Sequence, residues 1–291
     1  MDTEVAYRAP AGTATSRRLR SVRGLLMACH PGPALAVGAL TTALAAACGQ
    51  DAAGCLLVAA AVLTGQLSVG WSNDAADAAR DRAVGRSTKP VAAGSVSAGA
   101  VRGAALTALV LCVPLSLAYG LLAGTVHLAG VAAAWAYNLG LKATVLSWLP
   151  YAVGFAALPA FVTLGLEGRS WPPWWIVACA ALLGVGAHLA NVLPDIGDDL
   201  ATGVCGWPQR LGAARVRLLL PLPLVTATAL TAFARPGPAD TAGAAALPVA
   251  LALAAGGALL GRRFPRLPFL AAIMVAAVDV ALLLREGAAV T

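Results

Sequence analysis

The sequence NDAADAARD, residues 73–81, closes a long apolar run, and NVLPDIGDD, residues 191–199, closes another one later in the chain. Both stretches read Asn, three residues, Asp, three residues, Asp. In an α-helix, residues four apart lie on the same face. Each stretch therefore predicts one amide and two carboxylates along one helix face. We call residues 73–81 the first acidic motif and residues 191–199 the second acidic motif.

The composition places these motifs in a membrane protein. The chain of 291 residues is 59% hydrophobic and 11% charged, with a mean hydropathy of +0.80, whereas soluble domains carry about 25% charged residues. The apolar runs are too long for barrel strands, so the expected fold is all-α and polytopic. In such a protein, the net charge of +7 is typical of loops that face the cytoplasm and anionic lipid. Membrane lipid is therefore an expected partner and nucleic acid is not.

The chain divides into a basic cytoplasmic tail, residues 1–23, and a single transmembrane domain, residues 24–291. Nine apolar runs, each near the ~20 residues that cross a bilayer, predict nine transmembrane helices. They lie at residues 24–48, 53–74, 99–120, 123–141, 144–166, 174–195, 212–233, 243–261 and 268–285. Prolines 31 and 33 in the first run, and 150 and 159 in the fifth, predict kinks.

The basic residues orient these spans. With the N-terminus in the cytoplasm and nine spans, only Arg169, Arg235 and Arg285 of the 20 lysines and arginines fall outside. This positive-inside bias predicts an external C-terminus and a plasma (inner) membrane location. It also puts both acidic motifs and Lys142 at the cytoplasmic face.

Two facing rows of carboxylates repel each other unless a cation lies between them. Oxygen ligands favour magnesium, which keeps several waters and accepts phosphate as a further ligand. Neighbouring basic residues suit the phosphate oxygens that the metal does not reach; they are Arg82, Arg86, Lys89 and Lys142. The pattern favours a magnesium–diphosphate site for a substrate with a lipid tail. The alternative for each motif is a solvated helix end.

Further polar residues lie near the motifs. His188 comes three residues before Asn191 and is a candidate to orient Asn191 or Asp195; the alternative is a histidine that only packs between helices. Asn138 is a candidate for lining the cavity, and His30 for lining its acceptor side.

The motifs resemble those of the UbiA-type intramembrane prenyltransferases. The first acidic motif, followed by Lys89-Pro90 and Gly94, is similar to their first aspartate motif. Residues 137–142, Tyr-Asn-Leu-Gly-Leu-Lys, are similar to their Tyr…Lys motif, and residues 195–203 with 210–212 to their second aspartate motif. The resemblance covers residues 24 to 285. It implies nine helices around a central cavity, and magnesium-dependent transfer of a prenyl group from a prenyl diphosphate.

The resemblance also implies roles for single residues. Asn73, Asp74 and Asp77, with Asp81 nearby, would bind one magnesium ion. Asp195 and Asp199 would bind a second, with Asn191 of the same row as a further candidate ligand. Arg86, Lys89 and Lys142 would contact the diphosphate, and Tyr137 the cation or the diphosphate. The residues expected to be catalytic are Asp74, Asp77, Asp195, Asp199 and Lys142.

The chain departs from the family pattern on one side. Cys205 and Gly206 stand where a basic residue and a threonine are common, and Leu200 follows the last aspartate instead of a basic residue. These differences put in doubt the diphosphate contacts on that side, but not the metal ligands.

Three functions remain open from the sequence. The favoured one is prenyl transfer to a lipophilic acceptor, such as an aromatic ring or a quinone precursor. A terpene cyclase would use the same site, with the substrate's own double bonds capturing the cation. An ion-coupled transporter would use the acidic motifs as part of an ion path, which Asp279 alone would have to complete.

Overall fold

A computed structural model describes residues 14–168, 170–234, 241–261, 263–264 and 267–285. Within these ranges all regular secondary structure is helical, which confirms the all-α prediction. In chain order the helices are α1 (Ala14–Ala28), α2 (Pro31–Ala47), α3 (Ala52–Ala83), α4 (Ala98–Tyr119), α5 (Leu121–Asn138), α6 (Leu149–Leu164), α7 (Trp174–Val192), α8 (Ile196–Ala201), α9 (Trp207–Leu211), α10 (Ala213–Leu219), α11 (Pro221–Phe233), α12 (Thr241–Leu260) and α13 (Leu267–Arg285). Two 3₁₀ turns, Leu141–Ala143 and Leu193–Asp195, follow α5 and α7.

Several of these helices can cross a bilayer. By length and composition, five described segments qualify, and a sixth does if the bent pair α1 and α2 counts as one span. This finding supports an integral membrane protein. Each of the nine predicted apolar runs overlaps at least one described helix, but the number of spans, the central cavity and the orientation remain predictions.

The first predicted span is bent. His30 separates α1 from α2 and has a φ of 55°, in the left-handed region, and the two helices meet at 53°. Pro31 follows directly and disfavours a helical conformation at His30, so the bend occurs where prolines predicted one. Helix α1 runs past residue 23, where the tail was expected to end; residues 1–13 lie outside the described part of the chain. The division into tail and domain stays a prediction.

The long helices pack against their sequence neighbours, and α13 returns to contact α2 and α7. One apolar core lies among α2 to α6, and a second joins α7 with α11, α12 and α13. Large apolar side chains also cover the outer surface, where Leu56, Leu121 and Leu259 are 72%, 75% and 78% exposed. Such a surface suits contact with lipid.

Small residues let some helices approach closely, as is common in membranes. A Cβ added at Gly184 of α7 would lie 2.3 Å from the carbonyl oxygen of Tyr151 in α6. The α6–α7 contact therefore requires glycine at this position. It brings Tyr151 against the half of α7 that leads into the second acidic motif.

Candidate active site

The first acidic motif forms part of one continuous helix, as predicted. Asp51 caps the N-terminus of α3, where its carboxylate accepts the Gly54 N–H at 2.8 Å. The 32 residues of the helix span about 48 Å at 1.5 Å per residue. That length exceeds the ~30 Å hydrocarbon core of a bilayer. The last turns of α3 can therefore extend beyond the lipid and carry the motif with them.

Three carboxylates of this motif are nevertheless buried. Asp74, Asp77 and Asp81 are 1%, 7% and 2% exposed. Buried carboxylates require paired charges or hydrogen bonds, because their transfer from water is costly. The structure supplies cations from the same helix and from two loops.

Asp74 and Asp77 each pair with a lysine from a loop. Lys89, in the loop after α3, donates to Asp74 Oδ1 at 3.0 Å, and its Nζ also lies 3.3 Å from His30 Nε2. Lys142, in the 3₁₀ turn after α5, pairs with Asp77. Burial lowers the pKa of Lys142, and the Asp77 carboxylate opposes that shift. Both lysines thus lie where the sequence predicted cations beside the acids.

Asp77 has a second partner that sequence reasoning did not select. The Arg80 guanidinium lies 2.7 Å from Asp77 Oδ2. The i,i+3 spacing of the two residues on one helix is a signal that would have predicted this contact. Asp77 is therefore held from two sides, by Arg80 and by Lys142.

Asn138 fixes the amide of the first acidic motif. Its Nδ2 donates to the Val69 carbonyl oxygen at 3.0 Å and to Ser72 Oγ at 2.6 Å. Its Oδ1 accepts from Asn73 Nδ2 at 3.1 Å. With its NH₂ group held in this way, Asn73 keeps its amide oxygen as the atom suited to a cation.

The second acidic motif does not lie along one regular helix. Helix α7 ends at Val192, a 3₁₀ turn covers Leu193–Asp195, and α8 begins at Ile196. Pro194 has no N–H to donate to the helical ladder, which accounts for the break. The prediction of one continuous helix face is therefore wrong for this motif.

Its polar side chains accordingly have different surroundings. Asn191 donates to the hydroxyl of Tyr151 at 3.2 Å. The side chains of Asp195 and Asp198 are 47% and 60% exposed. Asp199 is buried and accepts from Gln209 Nε2 at 2.8 Å.

Arg86 joins the two motifs. It lies in the loop after α3, where its backbone N–H donates to the Asp81 carbonyl oxygen at 2.9 Å. Its guanidinium is 3.5 Å from Asp81 and 3.4 Å from both Asp195 and Asp198. Burial disfavours its charge, but Asp195 and Asp81 outweigh that effect and raise the pKa of Arg86. Arg82 is exposed on α3, so Arg86 is the arginine that faces both motifs.

Three rings form an aromatic cluster beside the motifs: Tyr137, Tyr151 and His188. The ring centres are 5.3 Å apart for the two tyrosines, 5.7 Å for Tyr137 and His188, and 5.0 Å for Tyr151 and His188. Within the described part of the chain, His188 forms no hydrogen bond with Asn191 or Asp195. Its Nε2 instead lies 3.2 Å from Ser147 Oγ. No local pattern pointed to Tyr151, which reaches the cluster through the close α6–α7 contact.

The loop after α8 packs against the segment that carries Lys142 and Ser147. A Cβ at Gly206 would lie 2.3 Å from the Lys142 carbonyl oxygen, and the Trp207 N–H donates to Ser147 Oγ at 3.1 Å. This packing places Gln209 against Asp199. Gln209 was not identified from the sequence, because nothing local links it to an aspartate ten residues away.

The acids of the two motifs fit a divalent cation only in part. As placed, no three His, Cys, Asp or Glu side chains among them converge on one point where an ion could be held; the basic side chains lie between the acids. Asp74 Oδ2, however, is buried and has no hydrogen-bond partner within the described ranges. With the amide oxygen of Asn73 and the other buried carboxylates, it provides the oxygen ligands that magnesium prefers. The residues therefore fit such an ion if the lysine and arginine side chains move away from the carboxylates.

The family of the chain follows from its sequence. The model of the UbiA prenyltransferase family matches residues 33–280. The chain therefore belongs to this family, and the prediction that it is a prenyltransferase is confirmed at that level. No curated protein matches the chain in sequence.

Solved structures share the fold. A UbiA homologue from Archaeoglobus fulgidus, bound to GPP and Mg²⁺, is 16% identical, with a TM-score of 0.67 over 90% of this chain and 99% of that chain. A digeranylgeranylglyceryl phosphate synthase is 15% identical, with a TM-score of 0.65 over 92% and 99%. The Archaeoglobus protein was also solved with Cd²⁺. That structure is 15% identical, with a TM-score of 0.64 over 90% of this chain and 98% of that chain.

Proposed function

We propose that this protein transfers a prenyl group from an isoprenyl diphosphate to a lipophilic acceptor, and that it requires magnesium. The acceptor would be an aromatic ring or a quinone precursor, and the active site would lie at the cytoplasmic face of a nine-span protein in the plasma membrane. The observation that carries the proposal is the contact of Arg86 with Asp81 on one motif and with Asp195 and Asp198 on the other.

This contact supports a shared site for one polyanionic group. Arg86 and Lys89 come from the loop after α3 and Lys142 from the turn after α5, and each is paired with an acid of the motifs. Basic side chains held at such positions suit phosphate oxygens. The site belongs to an apolar helix bundle, so it suits a substrate molecule with an anionic head group and an apolar tail.

The relatives support the same substrate class. The Archaeoglobus fulgidus homologue was solved with GPP and Mg²⁺ and with DMAPP and Mg²⁺. Its low identity to this chain limits the likeness to the fold, so a prenyl diphosphate substrate for this protein is part of the proposal.

The residues then divide by role. Asn73, Asp74 and Asp77, with Asp81 nearby, would hold one magnesium ion, and Asp195 and Asp199, with Asn191 nearby, a second. Bound magnesium would stabilise the diphosphate leaving group as a Lewis acid. Arg86, Lys89 and Lys142 would hold the phosphate oxygens as negative charge develops on them. Tyr137 would face the allylic carbon, and the apolar surroundings would keep water from the cation.

The test uses the purified full-length protein in detergent with C10, C15 and C20 prenyl diphosphates, supplied one at a time with magnesium. Diphosphate release and the organic products are followed with and without a pool of aromatic acceptors. Asp77→Asn serves as the matched inactive variant, because it keeps the shape of the side chain and removes its charge. The expected result is acceptor-dependent release with a prenylated ring, lost on chelation of magnesium.

Other outcomes identify the alternatives. Release without any acceptor, accompanied by a cyclic hydrocarbon or alcohol, would favour the terpene cyclase. Equal release by the protein and by Asp77→Asn would contradict any role of the first acidic motif in ionisation.

A further inference from the structure

We propose that His188 is the proton acceptor of this reaction and that its Nδ1 takes the proton that the prenylated acceptor must lose. The inference rests on the proposed function and goes beyond it, since prenyl transfer needs a base as well as a site for the diphosphate.

His188 is 1% exposed, and its two nitrogens differ. Nε2 lies 3.2 Å from Ser147 Oγ, whereas Nδ1 is buried without a hydrogen-bond partner in the described part of the chain. An unpaired nitrogen in an apolar interior is costly, so a purely structural histidine gains by satisfying both. A nitrogen that receives a proton during turnover has a reason to remain unpaired.

Ser147 holds the ring in place. Its hydroxyl oxygen accepts the Trp207 N–H at 3.1 Å, and the whole residue is 0% exposed. If His188 donates Nε2–H to this oxygen, Nδ1 carries a free lone pair. If the serine hydroxyl donates to Nε2 instead, Nδ1 carries a hydrogen and cannot accept another. The proposal therefore requires the tautomer with its hydrogen on Nε2.

The ring also lies at the depth where the chemistry would occur. His188 precedes Asp195 by seven residues, which is about 10 Å back along α7 and the turn that follows it. In the predicted orientation this direction leads toward the membrane interior. The diphosphate would sit among the acids and cations, so the allylic carbon and the acceptor would lie below it, toward His188. Tyr137 and Tyr151 pack against the same ring and are the titratable side chains that face it.

The C1–O bond of the prenyl diphosphate breaks and its electron pair leaves with the diphosphate. A nucleophilic atom of the acceptor forms a bond to C1, and the hydrogen on that atom passes as a proton to Nδ1 of His188. The imidazolium then returns the proton to the departing diphosphate.

His127 provides a matched control. It is also buried, at 3% exposure, but its Nδ1 lies 2.8 Å from Ser116 Oγ and its ring stacks on Phe161 with centres 4.6 Å apart. It lies on α5 within the apolar core of α2 to α6, far along the chain from both acidic motifs. A histidine with this environment has no free nitrogen at the site.

The first test locates the proton without any turnover. The double variant His30→Gln/His127→Gln leaves His188 as the single histidine of the chain. With ¹⁵N-labelled histidine in the full-length protein, nitrogen chemical shifts distinguish a protonated from a bare Nδ1. We expect Nε2–H with a bare Nδ1, and a protonated Nδ1 in the neutral ring would overturn the proposal.

The second test measures how many prenylated acceptors form per diphosphate released, with the C10 donor and the aromatic pool. General-base catalysis contributes at least about 100-fold, so His188→Gln should lower this ratio by more than tenfold while prenyl alcohol rises. His127→Gln should leave the ratio unchanged. An unchanged ratio in His188→Gln would overturn the inference alone, whereas no diphosphate release by the unmodified protein from any donor would overturn the proposed function.

Discussion

The two acidic motifs share one spacing but not one structure. The first lies on an unbroken helix, α3, with Asp74, Asp77 and Asp81 buried. The second is interrupted by a 3₁₀ turn, and its Asp195 and Asp198 remain half exposed. The same pattern of Asn and Asp therefore gives one rigid row with three buried carboxylates and one adaptable row in which Asp195 and Asp198 are exposed and Asp199 is buried. Pro194 accounts for the break in the second row.

This contrast suggests that the two motifs contribute differently to stability and activity. The first motif is fixed by ion pairs with Arg80, Lys89 and Lys142. In the second, Asp195 and Asp198 are exposed and contact Arg86 at 3.4 Å, whereas Asp199 is buried and accepts from Gln209. We expect substitutions in the first motif to affect both stability and activity, and substitutions of Asp195 or Asp198 to affect mainly activity.

Asp77→Ala should have the largest effect. It leaves the buried Lys142 without its partner, which costs about 3–5 kcal/mol of folding free energy, and it removes a predicted metal ligand. We expect loss of diphosphate release by roughly 10³-fold or more, together with a lower thermal unfolding midpoint in detergent. Near-normal turnover under saturating magnesium would refute the role of Asp77.

Asp195→Ala should reduce diphosphate release by roughly 10²–10³-fold while stability changes by less than about 1 kcal/mol. The reason is that its carboxylate is 47% exposed and its ion pair with Arg86 is long. Thermal unfolding of this variant and of Asp77→Ala, measured side by side, checks the contrast. If both variants lost the same stability, the distinction between a rigid and an adaptable motif would be wrong.

Arg86→Ala removes the contact between the motifs. Hydrogen bonds to charged groups contribute about 1.5–3 kcal/mol, so the apparent affinity for the prenyl diphosphate should weaken by roughly tenfold to a hundredfold. Arg102→Ala, an exposed arginine on α4, is the control for the loss of one positive charge at this face. Equal effects of the two variants would mean that Arg86 acts only through long-range electrostatic attraction, without a direct contact to the diphosphate.

Pro194→Ala should have the smallest effect. It permits α7 to continue through the second motif, which would rotate Asp195 and Asp199 relative to Arg86 and Gln209. We expect roughly tenfold slower turnover, because small displacements of catalytic groups are costly, with no loss of stability. A variant as active as the unmodified protein would show that the break at Pro194 does not matter for the site.

The sequence predicted the elements that depend on local pattern. Long apolar runs identified the helices, and Asn73, Asp77 and Asp81 lie on one helix as their spacing indicated. The break at Leu193–Asp195 could have been predicted too, since Pro194 lay within the motif, but the matched spacing suggested a regular helix.

Other features depend on distant contacts and could not be predicted. Tyr151 reaches the site only because Gly184 lets α6 approach α7. Gln209 reaches Asp199 because the loop at Gly206 packs on the Lys142 backbone. Such contacts follow from the packing of the whole bundle, and single-segment patterns do not contain them.

The ion pairs of the site have a consequence for the order in which it fills. Arg80, Arg86, Lys89 and Lys142 already hold acids of the two motifs. A diphosphate arriving alone would have to take these cations from buried carboxylates, and a divalent cation arriving alone would have to displace them into an apolar surrounding. When both arrive together, each carboxylate exchanges an ammonium or guanidinium group for the metal, and each basic group exchanges a carboxylate for a phosphate oxygen. If the proposed function holds, loading of metal and donor would therefore be coupled, and each ligand would strengthen the binding of the other.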